Sequence, residues 1–133
     1  MAGKSRIRAK GRRESGRFVM LPHSIIQHPA VATLHPACRW VLVALVAQYD
    51  GKNNGALALP MPTARLFGIT SSNTLNRSLR ELRARGLVIQ THPGSYHPPE
   101  VARYAITWKP TDDTQWSNKS APTSDFKGWN SAA

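Results

Sequence analysis

Among the polar side chains from Ser72 to Arg83, six, namely Ser72, Asn73, Asn76, Arg77, Arg80 and Arg83, carry groups of the kind that read nucleic acid. The carboxamide of Asn73 or Asn76 matches the donor and acceptor pair on adenine, and the guanidinium of Arg77 or Arg80 matches the two acceptors of guanine. Arginine also grips a phosphate with two parallel N–H donors. Thr63 and Arg65 upstream, Tyr96, His97 and Arg103 downstream, and Arg12, Arg13 and Arg17 near the start are further candidates of the same kind.

Other chemistries find less material. The acids are Glu14, Asp50, Glu81, Glu100, Asp112, Asp113 and Asp125, and no two fall on predicted elements so as to converge as acid and base. Cys38 is the one cysteine; it excludes an intramolecular disulfide, suits a reducing compartment, and sits on a predicted core helix without a context that would activate a thiolate. His23, His28 and His35 lack a His-x3-His spacing and a second cysteine, so they are expected to cap and turn the chain rather than hold a metal. Gly51 and Gly55 mark a turn, because no Gly-Lys-Ser/Thr follows and no helix starts there. The expectation is a protein that binds rather than catalyses, with no metal and no cofactor.

Candidate reading groups work only if one element presents them together. Ser71 is a good N-cap, and Leu75, Leu79 and Leu82 at i, i+4 and i+7 make one buried stripe of a helix running from about Ser71 to Arg85. Half a revolution away lie Asn73, Asn76, Arg77, Arg80 and Ala84, flanked by Arg83 and Arg85. Gly86 then supplies the left-handed residue that ends a helix, and the preceding arginines suit the negative end of its dipole. Leu87 to Thr91 is a short β-branched strand. Val101 to Trp108 alternates Tyr104, Ile106 and Trp108 on one face with Arg103, Ala105 and Thr107 on the other. His92 to Glu100 between them is too rich in Pro and Gly to be regular.

Upstream, Phe18 to Leu21 reads as a short strand or anchoring segment, and His23 to Gln27 as a turn of helix bounded by Pro29. Pro36 opens a helix to Tyr49 that is apolar nearly all round. Such a helix is either the central core element or one whose spare face a second copy covers. Ala56 to Leu59 is a short strand candidate able to pair with the later strands, and Pro62 to Phe67 a short helix with Leu66 and Phe67 facing inward.

The run Phe67-Gly68-Ile69-Thr70-Ser71-Ser72-Asn73-Thr74-Leu75, then Arg77-Ser78-Leu79-Arg80-Glu81-Leu82 and Arg85-Gly86-Leu87-Val88-Ile89, resembles the recognition helix and first wing strand of bacterial and phage winged helix-turn-helix proteins. Replication initiators and GntR-type or MarR-type regulators share it, and with the preceding helices the resemblance spans Leu34 to Trp108. Pro60, Met61 and Pro62 depart from the more usual Ser/Thr start of the short helix. The resemblance implies an α+β fold of about three helices and a small antiparallel wing sheet. It also implies that the Ser71 to Arg85 helix docks in a major groove, with the wing at phosphates or a minor groove.

Charge agrees in sign. The 133 residues carry a net +11, unevenly: residues 1–17 hold seven Lys/Arg against one acid, residues 18–108 eight against three, and residues 109–133 three against three. Residues 1–17 are expected to be a disordered phosphate-binding arm, 18–108 the folded domain, and 109–133 a flexible polar tail whose Trp116, Phe126 and Trp129 could engage a protein partner. A positive surface of this size seeks polyanions. No lysine-rich amphipathic helix with Trp or Phe on its other face appears in the arm to suit a membrane, and the apolar run Trp40 to Ala47 is too short to span one. The partner expected is double-stranded DNA, read by a phage or mobile-element regulator or replication-associated factor, as a homodimer in a bacterial cytoplasm. The alternative is a winged-helix scaffold acting by protein–protein docking, such as a phage-encoded inhibitor of a host nucleoprotein defence complex.

Overall fold

The structure, a computed structural model, describes residues 16–113 and 118–129. Most of the basic arm, including Arg12 and Arg13, and Trp116 in the tail lie outside the described residues. The described chain is mixed helix and strand, in the order α1 His23–Ile26, α2 Pro29–Ala32, α3 Pro36–Val46, α4 Met61–Leu66 and α5 Ser72–Ala84, followed by β1 Val88–His92, β2 Ser95–Tyr96, β3 Pro99–Glu100, β4 Arg103–Ile106, β5 Thr111–Asp113 and β6 Asn118–Ser120. A 3-10 helix, Asp125–Gly128, follows.

Two His-Pro dipeptides start helices. His28 and His35 sit at N-cap positions, and each Nδ1 accepts from the amide two residues on, Ala30 at 3.0 Å and Ala37 at 3.1 Å. The prolines after them occupy the first helical position, where a missing N–H costs nothing. An imidazole here does the work usually left to Ser or Asp.

Helix α3 is the centre of the core: Val41, Leu42, Ala44, Leu45 and Val46 are buried, so a single chain covers most of its apolar surface. Its helical bonds end at Val46 rather than Tyr49, and a tight turn carries the chain on through Gln48 N to Leu45 O and Tyr49 N to Val46 O. Trp40 is the large apolar residue left half exposed.

Strand β1 pairs antiparallel with β4, Val88 opposite Ile106 and Gln90 opposite Tyr104, with an irregularity between Gln90 and His92. On the other edge of β4 the expected strand 56–59 shrinks to one bridge, Leu57 with Tyr104. The sheet order is therefore Leu57, β4, β1.

Several expectations need correction. Phe18 to Leu21 is neither strand nor full anchor: Phe18 and Met20 are exposed and only Leu21 packs on the core. Leu66 points outward, 84% exposed, because Ala64 and Ile69 fill the inner side of α4 and the turn after it. The segment 92–100 is partly regular, since β2 and β3 pair as a small ribbon.

The largest correction concerns residues 109–113 and 118–129, which pack against the domain rather than forming a loose tail. Asn54, fully buried, donates from Nδ2 to the carbonyls of Ile106, Lys109 and Pro110 and accepts from Ile106 N at 2.8 Å. It staples the loop before Leu57 to the end of β4. Strands β5 and β6 pair next, and the 3-10 helix drives Phe126 into the core, edge-on to His28 at 4.9 Å and to Trp108 at 6.3 Å. Ser124 N donates to Thr107 O. Ala105 and Thr107 are as buried as Tyr104 and Ile106, so of the face shared by Arg103, Ala105 and Thr107 only Arg103 stays exposed.

Candidate nucleic-acid interface

Helix α5 carries most of the candidate side chains. Ser71 Oγ accepts from Thr74 N at 3.2 Å, which satisfies one of the free amides of the first turn and fixes the start at Ser72. At the other end Arg85 closes the last turn and Gly86 turns left-handed at φ 75°. Leu75, Ser78, Leu79 and Leu82 are buried. Ser78 is buried with the leucines and lines, with Ala37 and Cys38 of α3, the groove between the two helices.

The opposite side of α5 is open. Ser72, Asn73, Asn76, Arg77, Arg80, Arg83 and Ala84 are all exposed, so the structure brings six predicted reading residues onto one face of a capped helix. Among the described residues no acid pairs with Arg77, Arg80 or Arg83, and Glu81 on the same helix is held by Arg85 at 2.8 Å. The rigid body behind the face is α3, and Trp40 Nε1 donates to Phe67 O at 2.5 Å, tying α3 to the turn between α4 and α5. Thr63 is half-buried on α4 and Arg65 exposed on it.

Arg85 does not flank this face. Its side chain folds back beneath the helix, donating to Ala30 O at 3.1 Å and Thr33 Oγ1 at 2.7 Å, with its guanidinium 4.3 Å from the Trp129 ring centroid. Helical periodicity puts it beside Arg83, but α2 and the turn after it capture its guanidinium from one side and the Trp129 ring packs against it.

The ribbon departs from the cationic character of the helix. From Val88 to Ala102 the sequence has no Lys or Arg. At its root His92 Nδ1 accepts from Gly94 N at 3.0 Å while Nε2 meets Glu100 at 2.9 Å, and at its end Ser95 Oγ donates to Pro98 O. Gly94 has φ 79°, and a Cβ there would meet Ala102 N at 3.0 Å. Tyr96 and His97 are exposed beyond this closure, Tyr96 by 89%.

Arg103 stands opposite His92 on β4, and strand alternation puts it on the face away from Tyr104. Tyr104 lines the groove between β4 and α5 with Ser72, Asn76 and Leu79, so Arg103 lies apart from the α5 face. Arg17 is exposed in the extended lead into α1. Gln90, which composition gave no reason to single out, is the polar residue that joins sheet to helix: its Oε1 accepts from Arg83 Nη1 at 3.0 Å.

No protein-family model, curated protein or solved structure matches this chain. Among the described residues no helix is long and apolar enough to cross a membrane.

Proposed function

We propose that this protein binds duplex DNA by laying the exposed face of α5 in the major groove, as a winged-helix domain. The observation that carries the reading is the face itself: Ser72, Asn73, Asn76, Arg77, Arg80 and Arg83 stand exposed on one capped helix whose other side is core. The element order supports the fold assignment, with α3, a bridging residue Leu57, α4, a short turn, α5, and then β1 and β4 joined by the ribbon. The same reading makes the protein a regulator or replication-associated factor of a phage or mobile element.

The test is binding of the full chain to mixed-sequence duplex across a salt series. About 6 phosphate contacts give a log–log slope near −5. Loss of Asn73 or Arg77 to alanine should relax discrimination at one or two base pairs by about 1–3 kcal/mol while the fold survives. Salt-independent or absent binding by a folded chain overturns the reading.

One observation favours a second reading, docking on a protein or nucleoprotein complex. The ribbon offers Tyr96 and the half-exposed Val101 without any Lys or Arg, a surface better suited to a protein partner than to phosphates. Under that reading the α5 variants leave partner binding intact and Tyr96→Ala abolishes it.

A further inference from the structure

Arg77 and Arg80 leave α5 with no hydrogen-bond or ion-pair partner among the described residues, whereas Arg83 has one, and that partner is itself anchored. Arginine can only donate, so the carboxamide oxygen of Gln90 must be the atom turned toward Arg83 Nη1, 3.0 Å away. This fixes the Gln90 amide group on its other side, where Nε2 lies 3.4 Å from Tyr104 Oη. Tyr104 is 5% exposed, opposite Gln90 in the β1–β4 register, and its backbone is bonded to Leu57 on the far edge. A chain of polar contacts thus runs from the core through Gln90 to the tip of one surface arginine.

We infer that Gln90 is a positioning residue: it holds the Arg83 guanidinium in a fixed pose at the junction of helix and sheet, with its remaining N–H donors free for one backbone phosphate of duplex DNA. The inference rests on the proposed DNA-binding reading and adds to it a residue and a division of labour. The pose is set before DNA arrives, so the ordering of a long side chain is not left to the moment of binding. Phosphate is the fitting ligand because the planar fork offers paired donors to a tetrahedral oxyanion, and because later residues of such a helix rise from base edges toward the backbone. The ribbon has no Lys or Arg, so beside α5 it is at this junction that the sheet contributes to phosphate binding.

The experiment is a double-mutant cycle in the full chain, Gln90→Met with Arg83→Ala, read as affinity for a mixed-sequence duplex. Methionine keeps the length of the side chain and removes both hydrogen bonds. Gln90→Met should weaken binding about fivefold in the parent and leave it unchanged, within about 1.5-fold, once Arg83 is alanine, the size of coupling expected within one hydrogen-bond network. Equal losses in both backgrounds, or no loss in the parent, overturn the inference while the DNA-binding reading stands. A second readout needs no DNA: slow rotation of the Arg83 Nη groups in the free protein, seen by NMR, should be lost in Gln90→Met with the unfolding midpoint unmoved. Free rotation of Arg83 in the parent also overturns it. A parent that shows ordered Arg83 but no salt-dependent duplex binding overturns the phosphate role together with the proposed function.

Discussion

Arg83 and Arg85 stand two residues apart on one helix and do different work because of what lies beside each. Arg83 is held at the surface with donors to spare, while Arg85 is taken up by Glu81, Ala30 O, Thr33 and the Trp129 ring. Arg85→Ala should therefore lower stability by about 2 kcal/mol, after discounting the half-exposed Glu81 pair for solvent screening. Arg83→Ala should leave urea unfolding within about 0.5 kcal/mol of the parent. Equal stability losses would show that Arg85 is not the clamp its contacts describe. A stronger effect is expected at Asn54, whose buried carboxamide satisfies three carbonyls and one amide. Asn54→Ala removes those bonds and should cost at least ~3 kcal/mol in the same measurement. Neither role was legible in the sequence. Helical periodicity can assign Arg85 to a face but cannot see a strap arriving from residue 129, and Asn54 in an Asp-Gly-Lys-Asn-Asn-Gly run looks like any turn residue until its partners past position 105 are known.

Helix α5 was the most legible element, and the reason is local. Its start, its stripe and its stop are each encoded within one or two turns, by Ser71, by Leu75, Leu79 and Leu82, and by Gly86. Elements stabilised by distant contacts read less well: the strand expected at 56–59 is one bridge because Tyr104 offers backbone partners there only to Leu57 and its near neighbours, and β4 buries Ala105 and Thr107 as well as Tyr104 and Ile106. The two ends of α5 now separate a local from a tertiary effect. Ser71→Ala removes only the cap to Thr74 N and should cost about 1 kcal/mol. Gly86→Ala meets two obstacles, a left-handed φ of 75° and an Asp125 carbon 2.7 Å from the new Cβ, so its cost should exceed the roughly 1–2 kcal/mol of the backbone conformation alone. Thermal melts that rank Ser71→Ala as the more damaging change would mean the segment at Asp125 yields freely.

At the scale of the whole molecule, the folded unit is longer than sequence composition suggests. Ser, Thr, Asn and Asp dominate after Trp108, and nothing in that composition distinguishes a solvated tail from a strap held by backbone pairing and one aromatic. The structure draws the distinction through Phe126, 3% exposed among His28, Trp108 and the core, and through Gly86, whose α-hydrogens face Asp125 and Phe126. Chain ends should therefore behave in opposite ways. Removing residues 1–15 takes away six of the arm's seven Lys/Arg; the melting transition should stay in place, while affinity for duplex falls at every sequence with a shallower salt slope. Ending the chain at Trp108 leaves that charge in place but strips Phe126 from the core and the Trp129 ring from Arg85 at the C-terminal end of α5, and cooperative unfolding should be lost or shifted down by well over 10 °C. Phe126→Ala in the full chain isolates the core term and should cost about 3–5 kcal/mol. A cooperative transition in the chain ended at Trp108 that matches the full chain would return residues 109–129 to the role of a passive tail, and would leave α3, α5 and the sheet as a unit able to hold the candidate face unaided.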